Sequence, residues 1–254
     1  MNTQFRSVLT ISLAMILSAY IASSTFLRAK RLDQTIHITG SAQKRIKSDF
    51  MIWHTSVSAE APTLPGAYTK LSHDVEKTKA FLISQGFPEN QVIVSAVTTT
   101  PVRTTTHGEQ RQQVAAPEDG DSVSLAGRVT SYSLTQSLQI SSAEVDKLTA
   151  LSRNVTQLIN QGILLESNEP EYLYTKLAEL KVVMLADAAR DARERAAQIV
   201  SSAGGKVGEM RSAEMGVMQV NAAGANDVSG YGVNDTKSEE KDVFAVVHAT
   251  FALD

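Results

Sequence analysis

The chain has 254 residues, a formal net charge of −3 and no cysteine. A near-neutral balance without a concentrated basic face argues against a nucleic-acid partner, and the lack of cysteine excludes disulfides, Cys-based zinc sites and thiol catalysis together. Hydrophobic residues at 43% and charged residues at 20% are the composition of a globular protein large enough to bury a core.

Residues 8–27 read VLTISLAMILSAYIASSTFL and carry no charge. That length matches a helix crossing a bilayer core. Residues 1–31 are therefore expected to form a membrane anchor, or a signal segment cleaved near Ala22-Ser23-Ser24. Arg28, Lys30 and Arg31 follow the run and Arg6 precedes it. Taken alone, those charges place the C-terminal domain in the cytoplasm.

Residues 35–254 read as one α+β domain. Ile36, Ile38, Gly40 and Ala42 share one face of a first strand, and Met51, Trp53, Val57 and Ala59 one face of a second, about 50–59. Pro62 and Pro65 open a helix that Gly86 stops. A third strand, 91–102, is rich in Val, Ile and Thr. Residues 103–127 are polar and read as a mobile hairpin loop. A fourth strand puts Tyr132, Leu134, Leu138 and Ile140 on one face and Ser, Thr and Gln on the other. Ser141 and Glu144 suggest a capping box for a second helix, which Gly162 ends. A fifth strand spans about 164–174, interrupted at Pro170. This order is the split β-α-β-β-α-β arrangement of ferredoxin-like sheets. A long Ala-rich helix, about 173–203, and two more strands, 206–219 and 242–253, extend it. Between those strands, 221–241 is rich in Gly, Asn, Asp and Ser and reads as a second mobile loop. The last strand is apolar on both faces at its start, so it belongs in the middle of a sheet or under cover on both sides.

Ile38-Thr39-Gly40-Ser41-Ala42, then Lys47-Ser48-Asp49 and Ala59-Glu60-Ala61, resemble the start of SIMPL-domain proteins. Residues 181–209, KVVMLADAARDARERAAQIVSSAGGKVGE, resemble that family's long helix and the Gly turn after it, and the strand 244–251 also fits. The chain departs from the family pattern at Ala42, where Gly is usual, and at Ser48, where Pro is usual. The resemblance implies a periplasmic or cell-envelope location, often with a signal or anchor. Some members are linked to oxidative-stress defence, and an immunogenic member forms large ring-like oligomers. It supplies no active site to carry over.

The residues themselves offer no catalytic, cofactor or metal set. The histidines are His37, His54, His73, His107 and His248. None forms a close helical pair or a short metal motif; His54 and His248 could meet across a sheet, but zinc needs three or four ligands. No G-x-S-x-G elbow, Walker loop or G-x-G-x-x-G is present. Gly204-Gly205-Lys206 reads as a helix cap. Asp187, Asp191 and Glu194 each have an Arg neighbour and read as an ion-pair face. Trp53 reads as core. Met210, Met215 and Met218 read as filler, or as an adaptable or oxidisable surface. The expected function is that of a non-enzymatic, membrane-tethered, homo-oligomeric envelope protein linked to stress defence. The alternative is a ligand- or partner-binding envelope protein in stress signalling, with its ligand unspecified.

Overall fold

The structure is a computed structural model that describes residues 12–25, 34–103 and 128–254. Most of the expected loop at 103–127, His107, the ends of the apolar run and its flanking basic residues lie outside these. Residues 12–25 are helical, with Leu13, Ile16 and Tyr20 exposed. Among the described residues, no helix is long and apolar enough to cross a membrane.

In chain order the strands are β1 (Thr35–Lys47), β2 (Phe50–Ala61), β3 (Val92–Val94), β4 (Thr98–Arg103), β5 (Val129–Ser142), β6 (Leu164–Ser167), β7 (Glu171–Leu173), β8 (Val207–Met215), β9 (Gln219–Ala222) and β10 (Glu240–Leu253). The helices are α1 (Leu64–Ser84), α2 (Val145–Asn154) and α3 (Leu177–Ser202). Residues 35–254, read above as one domain, divide into two contact units.

The unit built from residues 47–175 and 236–239 holds a sheet in the order β3-β5-β2-β6, with β4 also on β5 and β7 also on β2. Neighbouring strands run antiparallel. β2 and β5 pair along their length, placing Trp53 opposite Ile140 and Ala59 opposite Leu134. All four are buried, with Leu71 and Leu82 of α1 and Leu148 of α2 packed into the same core. The Trp53 indole N–H donates to Ser167 Oγ at 3.2 Å, and Ser167 Oγ–H donates onward to Ser152 O at 2.8 Å. The core tryptophan thus keeps its polar edge satisfied. Thr63 caps α1, its hydroxyl accepting from Gly66 N, and Pro65 occupies the first turn where its missing N–H costs nothing.

The other unit contains residues 34–46, 176–235 and 240–254. Its sheet runs β1-β10-β8, with β9 also on β10, so the last strand is central as its apolar start suggests. Val247, Ala249 and Phe251 point to one face and pack on Ala188, Ala192 and Ala196 of α3, joined by Ile36, Ile38 and Ala42 of β1. Alanine at every fourth position brings the helix backbone close to the sheet.

Several boundaries differ from the sequence reading. The fifth strand, expected over 164–174 with an interruption at Pro170, forms as β6 and β7, with Tyr172 buried and paired with Met51, and the long helix, expected from about 173, begins at Leu177. The strand expected over 91–102 breaks at Ser95. That residue's Oγ accepts from Ser137 N, and its backbone N–H donates to Ser137 O. The strand expected over 206–219 stops at Met215, and Gly216 N donates to Val246 O. The Ser141–Glu144 capping box does not form. Ser141 stays in the β5 ladder, and Ser142 Oγ accepts from Glu144 N at 3.0 Å.

Candidate functional site

Strands alternate their side chains, so the face of the β1-β10-β8 sheet opposite α3 carries the other set. From β1 it takes His37 and Thr39, from β10 His248 and Thr250, and from β8 Ser212 and Glu214. Register fixes their pairing. Thr250 lies opposite Ser212 and His248 opposite Glu214. Across the other side of β10, His37 Nδ1 and Thr250 Oγ1 are 2.9 Å apart, and His248 Nδ1 and Thr39 Oγ1 are 3.0 Å apart. The six side chains form a two-by-three grid lining an open cleft of about 360 Å³.

Each histidine therefore has one ring nitrogen engaged and, among the described residues, one without a partner. When the threonine hydroxyl donates to Nδ1, the neutral ring carries its proton on Nε2 and presents an N–H donor. Ser212 Oγ and the Glu214 carboxylate make no hydrogen bond within the described residues. The cleft thus offers imidazole nitrogens, hydroxyls of either sense and one carboxylate acceptor.

The remaining sequence candidates separate from this grid. His54 lies on β2 of the other sheet, opposite Gln139, and His73 is exposed on α1. Among the described residues no group of three or more His, Asp or Glu is placed to hold a metal. Gly204 has φ +80° and its N–H donates to Ser201 O, so the glycine pair closes α3. Asp187 pairs with Arg190 and Asp191 with Arg195, each at 2.8 Å. Asp191 also accepts from the backbone N–H of Ser41 at 2.8 Å, which with Arg195 holds its carboxyl below the ordinary range. Met210 and Met215 are exposed on β8.

A second polar group lies in the same unit. Gln219 is buried. Its Nε2 donates to Ser229 O and its Oε1 accepts from Val233 N at 2.7 Å. Asn221 Nδ2 donates to Asp227 O at 2.9 Å. These bonds span the stretch 221–241 that composition reads as mobile, and leave Tyr231 fully exposed at its apex. Beside them Arg45 grips Asp242 through two bonds of 2.8 Å, and Gly224 N donates to the same carboxylate. Arg45, then the Gly224 N–H, holds the Asp242 carboxyl down at about 2. Burial pushes the Lys241 ammonium down from its ordinary value.

Sequence reasoning named both histidines but not their partners. Thr39, Ser212, Glu214 and Thr250 have no signal as single residues. The polar alternation His248, Thr250 within an apolar strand was the one available clue.

The chain matches the model of the SIMPL family, described as a protein of unknown function (DUF541), over residues 36–251. No curated protein matches it. Because the match spans most of the chain and takes in both sheets, the protein belongs to the SIMPL family.

Proposed function

We propose that this protein is a non-enzymatic module of the cell envelope, tethered to a membrane through residues 8–27 and assembled as a homo-oligomer. One observation carries the reading. The helical residues 12–25 expose Leu13, Met15, Ile16, Leu17 and Ile21. A contiguous apolar surface of that kind marks a lipid or protein contact. Exposed apolar side chains on α3 (Val182, Val183, Ile199) and β8 (Met210, Met215) support self-association. The domain lies in the periplasm, anchored to the inner membrane or released there by cleavage, and serves stress defence as some relatives of the resemblance do. In the unit of residues 47–175, the order β3-β5-β2-β6 supports the split β-α-β-β-α-β reading.

Native mass measurement of detergent-extracted protein, combined with N-terminal sequencing, tests this. A large homo-oligomer with an intact N-terminus is expected for the tethered form. A monomer at micromolar concentration overturns the assembly, and protease protection of residues 34–254 in cells stripped to their inner membrane overturns the location. The second reading, a ligand-binding envelope protein in stress signalling, is favoured by the cleft on the β1-β10-β8 sheet.

A further inference from the structure

The polar grid on the open sheet face has a donor set that discriminates among ligand classes. Its residues sit on three paired strands, about 5 Å apart across the sheet and about 7 Å apart along it. The grid is therefore a small, fixed array, and its volume of about 360 Å³ suits a ligand at the small end of the usual range. An apolar ligand gains little there, because Ile38 packs on the α3 side of the sheet and the six side chains that face the cleft are polar. An anion meets the Glu214 carboxylate. A metal ion lacks a three-donor group among the described residues. A neutral ligand with several hydroxyls meets none of these obstacles. Its O–H groups donate to Glu214, and its oxygens accept from the free ring N–H of His37 and of His248 and from Ser212.

We propose that His37, His248, Ser212 and Glu214 form a binding site for a saccharide, with Thr39 and Thr250 as positioning residues that fix the two imidazole rings. The site binds a neutral, polyhydroxylated ligand without chemistry on it. It stands apart from the assembly reading above, since none of its residues belongs to the apolar surfaces invoked there.

The test uses full-length protein in mild detergent, labelled for NMR of the histidine rings and titrated with neutral mono- and oligosaccharides. Inorganic phosphate and zinc ion are run separately as probes of the competing chemistries. Saccharide is expected to shift both the His37 and the His248 ring signals, with dissociation constants in the millimolar range or below, about −4 kcal/mol. Glu214→Gln is expected to weaken binding about tenfold, with the melting temperature unchanged because the side chain is exposed. Thr250→Val is expected to weaken it about threefold and to move the His37 ring signals before any ligand is added. Higher affinity for oligosaccharides than for their monomers points to an envelope polysaccharide, and equal affinity to a free sugar; either result supports the site. No shift up to about 50 mM saccharide, a concentration well above a millimolar dissociation constant, overturns it. So does a response to phosphate or zinc with none to saccharide.

Discussion

Gly40 and Ala192 are packed so closely that a β-carbon built on Gly40 would lie 2.7 Å from the Ala192 β-carbon and 2.1 Å from the Ala188 carbonyl oxygen. Strand β1 crosses α3 at the one residue without a side chain. The helix presents alanine there, and Ser41 N donates to Asp191 beside the contact. Gly40→Ala forces strand and helix apart, because the obstacle is backbone rather than a movable side chain. The expected loss is about 3 kcal/mol, the upper part of the usual overpacking range, read by urea denaturation followed by circular dichroism. A loss within about 0.5 kcal/mol, the scatter of ordinary surface changes, would sink the idea.

Asp242 gives this unit an acid-sensitive step. Its carboxyl titrates at about 2 in the folded chain against about 3.9 when unfolded. A depressed value means the stabilisation is present above pH 4 and disappears as pH falls toward 2. Asp242→Asn is therefore expected to lower the melting temperature at pH 7 and to flatten its dependence between pH 4 and 2. Asp187→Asn, at an exposed carboxylate, should do much less. Equal melting losses in the two variants would remove the distinction.

Ser48 is buried, and its hydroxyl has no partner among the described residues, while its backbone N–H donates to Glu239 O at 2.8 Å. Ser48→Ala removes the unpaired group and keeps that bond. A gain of about 1 kcal/mol is expected from the relieved desolvation cost, measured as a rise in the denaturation midpoint at unchanged slope. A drop in stability would show that the hydroxyl has a partner such as an ordered water.

Trp53 is the sole tryptophan of the chain, so its fluorescence reports on the unit of residues 47–175 alone. Ser167→Ala breaks the relay from the indole N–H to Ser152 O and leaves both ends buried without that partner. The expected cost is about 1–2 kcal/mol, with an altered emission of the folded state. An unchanged spectrum and unchanged stability would count against the relay.

Much of this fold is legible locally. Gly162 adopts φ +83° to end the second helical stretch, and Pro65 sits where a helix begins. The alternation in β5 and the apolar start of β10 declare which strand is half-solvated and which is central. What local pattern misses depends on distant partners. The break at Ser95 depends on the Ser137 backbone. The site was half visible for the same reason. His37 and His248 stand out as residue types, but their threonine partners follow from a register between β1 and β10. Ser212 and Glu214 lie on an exposed edge strand whose composition announces nothing.

The central place of β10 also sets an order of events. His37 meets Thr250 across 213 positions of sequence, and β1 has no other strand partner among the described residues. Closing so long a loop is slow compared with local pairing. The unit of residues 47–175 finds nearly all its partners within its own stretch, whereas β1 must wait unpaired until β10 has been made. A ribosome or an export channel delivering this chain from its N-terminus therefore releases one finished unit first. The sheet that carries the saccharide cleft is assembled last.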